Sequence, residues 1–301
     1  MFPIVPANSA AVSGNQEGIF GFGASGPYSM TNLVSNAGVV SSDTAGVGTA
    51  RRELAATEYG EDKGIFGYGI NGSVTGVTNL VSNAGVVATD TAGVGTARNS
   101  PMACEYGGDK GIFVYGNSDG GSAAVSMSNL VTNAGVVGTD VTGVGTARWS
   151  GGGCEYGEDK GIVGFGYAPS SYRSMTNLIS NAGVVATDTA GVGTARMSTL
   201  ACSYGGDKGI FGFGNDGSAF GATNLVSNAG VVATDTAGVG TARWSVAACE
   251  YGGDKGIFGF GYFGGSPTAI TNLVSNTGVV ASDQAATTGT VRYALAACSF
   301  N

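Results

Sequence analysis

Histidine is absent from this chain of 301 residues. That absence excludes Ser-His-Asp and Cys-His catalysis, His-ligated zinc and imidazole acid–base chemistry. Charge is sparse and mostly negative, with 13 Lys and Arg against 21 Asp and Glu and a formal net charge of −8. Phosphate backbones and anionic membrane surfaces are recognised by clustered Lys and Arg, so neither is an expected partner. No stretch approaches the roughly 20 apolar residues of a membrane helix. Met1–Pro6 has neither the basic nor the long apolar region of a signal peptide. The expectation is a soluble protein with no membrane insertion.

Other absences narrow the chemistry further. No CxxC pair exists among the five cysteines, Cys104, Cys154, Cys202, Cys249 and Cys298. They share one repeat position, which another copy fills with Thr57. Symmetry-related sites in different units lie beyond the ~7 Å Cα limit for a disulfide. They are expected as small buried hydrophobes, kept reduced in a cytoplasmic compartment. No apolar pattern repeats every 3.6 residues, and the Gly-x-Gly strings are not followed by a helix. They read as packing glycines, not as a phosphate loop.

What the chain has is repetition. Thr-Asn-Leu-Val-Ser-Asn-Ala-Gly-Val-Val or a close variant occurs six times, with its first Asn at Asn32, Asn79, Asn129, Asn177, Asn224 and Asn272. A near-constant period of this length marks one supersecondary unit copied in tandem. Glycine is abundant, at 56 residues, but follows no Gly-X-Y period, which excludes collagen. Runs of β-branched and aromatic residues bounded by Gly, Asn and Asp read as strands. Each unit is expected to supply four: a (Leu200–Tyr204), b (Gly209–Gly214), c (Thr223–Ser227) and d (Val231–Thr236) in the fifth copy.

Six units of four antiparallel strands predict an all-β, six-bladed β-propeller spanning 1–301, with 1–17 an N-terminal arm or possible strand. The chain starts at strand b (Gly18–Gly23) and ends on an extra strand a (Ala294–Phe300). Pairing of these terminal segments would close the ring. Ser9–Ser13 is a weaker competitor for the same place.

An Arg before a short strand, a Gly-containing turn and Ile-Phe-Gly-Phe-Gly make this order of features resemble the kelch repeat. It departs from kelch in having Gly67-Tyr68-Gly69 for the Gly-Gly doublet and no Trp on strand d. Asp62–Gly69 and Thr78–Asn83 are also similar to glycine-rich arrays in proteins of aquatic bacteriophages and other viruses. That resemblance implies a virion-associated or host-recognition role and brings no catalytic residues.

The internal alignment separates two rims. The a–b turn and the Asn-Ala-Gly c–d turn hardly change between copies. The b–c connections differ in length and content, and the residue after the d-strand Arg becomes Asn99, Trp149, Met197, Trp244 or Tyr293. Loops on a rigid scaffold are the usual home of binding. The candidate binding residues are therefore Tyr28, Trp149, Tyr167, Tyr172, Phe220, Trp244, Tyr262, Phe263 and Tyr293, whose aromatic rings suit a glycan or a protein partner. No catalytic residue, metal site or cofactor is expected. Asp43 and its five copies, and the Arg residues closing strand d, read as structural. Glu58, Glu105, Glu155 and Glu250 on strand a would gather a cation if they faced an axis; ion pairing with a nearby Lys or Arg is the plainer expectation. The alternatives are a structural component docking through the symmetric rim, or a propeller glycosidase, for which the loop acids Asp119 and Asp216 are a poor pair.

Overall fold

A computed structural model describes residues 16–26, 28–284 and 289–300, which are all-β with no helix. Among the described residues, no helix is long and apolar enough to cross a membrane. The competing strand at Ser9–Ser13 lies outside the described residues.

Each repeat forms a small three-stranded antiparallel sheet in the order a-b-c. In the fifth copy these are Leu200–Tyr204, Lys208–Asn215 and Ala219–Val226. Strand b is buried without a break from Gly209 to Gly214, including the adjacent Ile210 and Phe211, so it is covered on both faces. The first copy takes its strand a from the other end of the chain: Ala296–Phe300 pairs with Glu17–Gly23, from Glu17↔Phe300 to Gly21↔Ala296. The extra C-terminal strand therefore occupies the place expected for it. Each strand a packs against the next, and Ala296–Phe300 contacts both Ala247–Tyr251 and Ala55–Tyr59.

The fourth strand is not formed. Segment d meets strand c only at isolated bridges, Val34↔Val40 and Thr31↔Thr44 in the first copy, and equivalents in the others. Three steps on c face four on d, and the extra residue breaks regular pairing as a bulge does. The Asn of the repeated string fills the gap: Asn32 Nδ2 donates to Ser41 O at 3.0 Å and to Asp43 Oδ1 at 2.9 Å. The invariant Asn and Asp thus replace ladder bonds that the bulge removes.

A second bulge sits in strand b. Pairing shifts register between Gly212 and Gly214, where Phe213 adopts φ 59°. The turn exposes the Phe213 carbonyl to Arg196 Nε at 2.9 Å. Every copy has a fully buried Arg at this place, with its guanidinium 4.0–4.3 Å from an aromatic ring of the preceding sheet, and all but Arg98 make the equivalent Nε bond. Burial lowers the pKa of Arg51, Arg196, Arg243 and Arg292 to about 10, which leaves them protonated at neutral pH. Each Arg is a cationic wedge between neighbouring sheets. The repeated Asp adds a second bridge between units: Thr49 N and Oγ1 donate to Asp90 of the next copy at 3.0 and 2.5 Å.

One contact between sheets varies in a compensated way. A side chain on Gly67 would strike Phe113 of the next sheet, with Cβ 2.7 Å from Cζ. Gly21, Gly212 and Gly259 meet Phe66, Phe258 and Phe20 in the same manner. The third copy has Val114 at the glycine position, and the fourth has Val163 where the others have Phe. Val114 and Val163 belong to one buried cluster with Met102. A larger residue on one side is matched by a smaller one on the other.

Candidate functional site

The residue two places beyond each buried Arg has positive φ: Glu53, Ser100, Ser150, Ser198, Ser245 and Ala294, at 49–56°. Their peptide groups form a circuit. Ser100 N donates to Glu53 O, Ser150 N to Ser100 O, Ser198 N to Ser150 O, Ser245 N to Ser198 O, Ala294 N to Ser245 O and Glu53 N to Ala294 O, at 2.6–3.3 Å.

Immediately before each circuit member stands the divergent residue. Trp149 bridges Tyr167, Trp244 bridges Tyr262, Tyr293 bridges Ala24, Asn99 bridges Asn117 and Met197 bridges Asn215. This pairing anchors the variable positions on the ends of strand b and turns them toward a common depression. It measures about 240 Å³ and is lined by Glu53, Asn99, Trp149, Met197, Trp244 and Tyr293 among others.

The aromatic candidates divide on this geometry. Trp149, Trp244 and Tyr293 line the depression. Tyr167 packs edge-on against Trp149 at 5.2 Å, and Tyr172 against Tyr167 at 5.5 Å. Tyr262 packs against Trp244 and Tyr293, at 4.9 Å from each. These three tyrosines buttress the lining. Tyr28, Phe220 and Phe263 are elsewhere. Tyr28 Oη donates to Ser25 O, Phe220 lies 4.9 Å from the Arg196 guanidinium, and Phe263 is 50% exposed on a two-residue hairpin strand. No family description matches the chain, and no curated protein matches it.

Sequence reasoning passed over the polar part of the lining. Asn99 was visible as a divergent position but is not aromatic, and Glu53 belongs to the strap between Arg and strand a. Asn99 Nδ2 donates to Glu53 Oε2, Ser100 Oγ donates to the same oxygen at 3.3 Å, and Arg52 Nε donates to Glu53 Oε1 at 3.3 Å. Asn99 is only 5% exposed, and its Oδ1 has no hydrogen-bond donor.

Beyond the circuit, strand a of every sheet lines a narrower cavity of about 90 Å³. Glu58, Glu105, Glu155 and Glu250 face it, with Ser203 and Ser299 at the two remaining equivalent positions. The expected pairing with Lys or Arg does not occur among the described residues. The five lysines are instead held by adjacent aspartates, such as Lys160 with Asp159 at 2.5 Å and Lys255 with Asp254 at 2.6 Å. Burial raises the pKa of all four glutamates, with mutual repulsion adding to the effect on Glu105, Glu155 and Glu250; Glu155 and Glu250 reach about 8. No cluster of metal-holding geometry exists among the described residues. Asp119 and Asp216 close their own loops: Asp119 Oδ1 accepts from Gly121 N at 2.7 Å, and Asp216 Oδ1 from Ser218 N at 3.2 Å.

The opposite rim repeats. Asn83, Asn133, Asn181, Asn228 and Asn276 each donate to the Asp of the a–b turn in their own unit, at 2.9–3.1 Å. Each c–d turn there carries one strongly exposed valine, 61–65% accessible: Val39, Val86, Val136, Val184, Val231 and Val279.

Proposed function

We propose that this chain is a six-bladed β-propeller, closed by its last strand, that works as a non-enzymatic binding protein through its variable rim. Closure is supported by the six-membered circuit of backbone hydrogen bonds and by contacts joining the chain ends. Arg292 Nε donates to Phe22 O at 2.9 Å, and Thr290 N to Asp43 at 3.0 Å. Binding rests on one observation above others. Divergence between copies collects on one rim, and there it supplies three aromatic side chains to a shared depression. The partner is a glycan or protein of a surface, and the resemblance to phage arrays adds a virus-particle setting.

A second reading is favoured by the valine ring. Six equivalent apolar side chains on a near-symmetric rim suit docking onto a symmetric neighbour, as a structural part of a particle would require. One experiment compares both. Trp149→Ala/Trp244→Ala and Val86→Glu/Val136→Glu/Val184→Glu are tested for adsorption to host cells and for incorporation into particles. Loss of adsorption by the first variant alone supports the variable rim as the binding face. Adsorption unchanged in the tryptophan variant, with particle incorporation lost in the valine variant, makes the chain an assembly component.

A further inference from the structure

We infer that the depression at the centre of the variable rim takes a single neutral sugar residue, the terminal unit of a glycan inserted end-on. This rests on the binding reading above and names its ligand class.

The argument starts from Asn99. Its Nδ2 is committed to Glu53 Oε2, and a carboxylate oxygen only accepts, which fixes the amide orientation. Asn99 Oδ1 is left as a buried acceptor without a donor. Leaving such a group unmet is unfavourable, so a ligand hydroxyl or N–H that displaces its cover and reaches it on entry gains correspondingly. The wall opposite in character is apolar: Trp149, Met197, Trp244 and Tyr293. A pyranose ring has this division, with C–H groups on one face and hydroxyl donors at its edge. Aromatic faces pack on the former and Asn99 accepts from the latter.

Two further features restrict the ligand. Among the described residues, the lining of the depression contains no Lys or Arg, and the Glu53 carboxylate there is already paired with Arg52, so a sialylated or sulfated end group finds no counter-charge. The volume of about 240 Å³ falls below the ~300–1,000 Å³ of pockets for drug-sized ligands, so one ring enters and a chain does not. The bridges at Trp149↔Tyr167 and Trp244↔Tyr262 hold the aromatic walls before any ligand arrives. Little ordering cost then remains on binding.

The test is an array of oligosaccharides ending in neutral hexoses, N-acetylhexosamines or sialic acid, probed with the full chain and with Asn99→Leu, Trp149→Phe and Trp149→Ala/Trp244→Ala. Thermal unfolding checks that each variant is folded. Binding of neutral-terminated glycans is expected, weakened about tenfold or more by Asn99→Leu and by the double variant and less by Trp149→Phe, with sialylated ends ignored. A blank array overturns the sugar assignment even if adsorption to cells still depends on Trp149 and Trp244, which leaves the rim reading standing. Preference for sialylated ends, or neutral binding untouched by Asn99→Leu in a folded protein, overturns it equally.

Discussion

Four carboxyl groups around one narrow cavity make the protein sensitive to base. A carboxyl with a folded-state pKa of about 8, as for Glu155 and Glu250, binds its proton more tightly when folded than when unfolded, where the value is ~4.3. The folded state then carries more protons, so stability declines as pH rises from about 4.3 to 8. The repeated aspartates act in the opposite direction at the acid end. Burial pushes Asp90 upward, but the hydrogen bonds from Thr49 and Asn79 and the charge of Arg51 outweigh it and lower its pKa. Stability from this group is present above ~3.8 and lost as pH falls through its lowered value. The predicted consequence is that Glu155→Gln/Glu250→Gln raises Tm at pH 8–9 and has little effect near pH 4, by about 2–4 °C per kcal/mol of repulsion removed. Calorimetry across that range checks it; a pH-independent gain would show that the carboxylates are already relaxed by solvent.

Between elements, the exchange at Val114 and Val163 offers a sharper probe of how the sheets interlock. Gly and Phe meet at most of these interfaces, whereas Val meets Val at one. Val163→Phe alone overfills the site and Val114→Gly alone empties it, each costing about 1–3 kcal/mol. The double variant restores the arrangement of the neighbouring copies. It is expected to recover a coupling of about 0.5–3 kcal/mol relative to the sum of the singles, measured by urea unfolding. Additive losses would mean that Met102 or backbone movement already decouples the two sites. At this scale the sequence was legible where composition alone marks a strand: a, b and c stand where β-branched and aromatic runs predict them. Strand d failed because its composition reads as strand while its length exceeds its partner by one residue, and a bulge is invisible in composition.

For the whole molecule, the joining of the two chain ends was readable from the leftover strand after Arg292, because an unmatched element must find a partner. The depression was only half readable. Divergence marked Trp149, Trp244 and Tyr293, yet nothing in one dimension shows that Asn99 and Glu53 share their space, since that follows from how the sheets are arranged around the circuit. Likewise, an adjacent Asp claims each Lys in the a–b turn and leaves the glutamates without a cation. The molecular prediction is truncation after Arg292. It removes Ala294 from the circuit and buried Leu295, Ala296, Cys298 and Phe300 from the core. A loss of roughly 5 kcal/mol or more is expected, seen as a collapse of Tm, with partial recovery on adding a peptide of residues 293–301 in trans. A truncated chain of unaltered Tm would return the closing role to the N-terminal arm.

The pairing of Glu17–Gly23 with Ala296–Phe300 also sets a timetable. Among the described residues, one edge of the first sheet has no strand to meet until roughly 270 further residues have been made, or about 14–54 s at 5–20 residues per second. For that interval the nascent chain displays an open, apolar strand of Gly, Ile and Phe. A growing polysome therefore holds many such edges close together, each able to accept another chain's last strand instead of its own. Crowded synthesis would then yield chains intertwined through their last strands, and slower or sparser translation would yield separate ones.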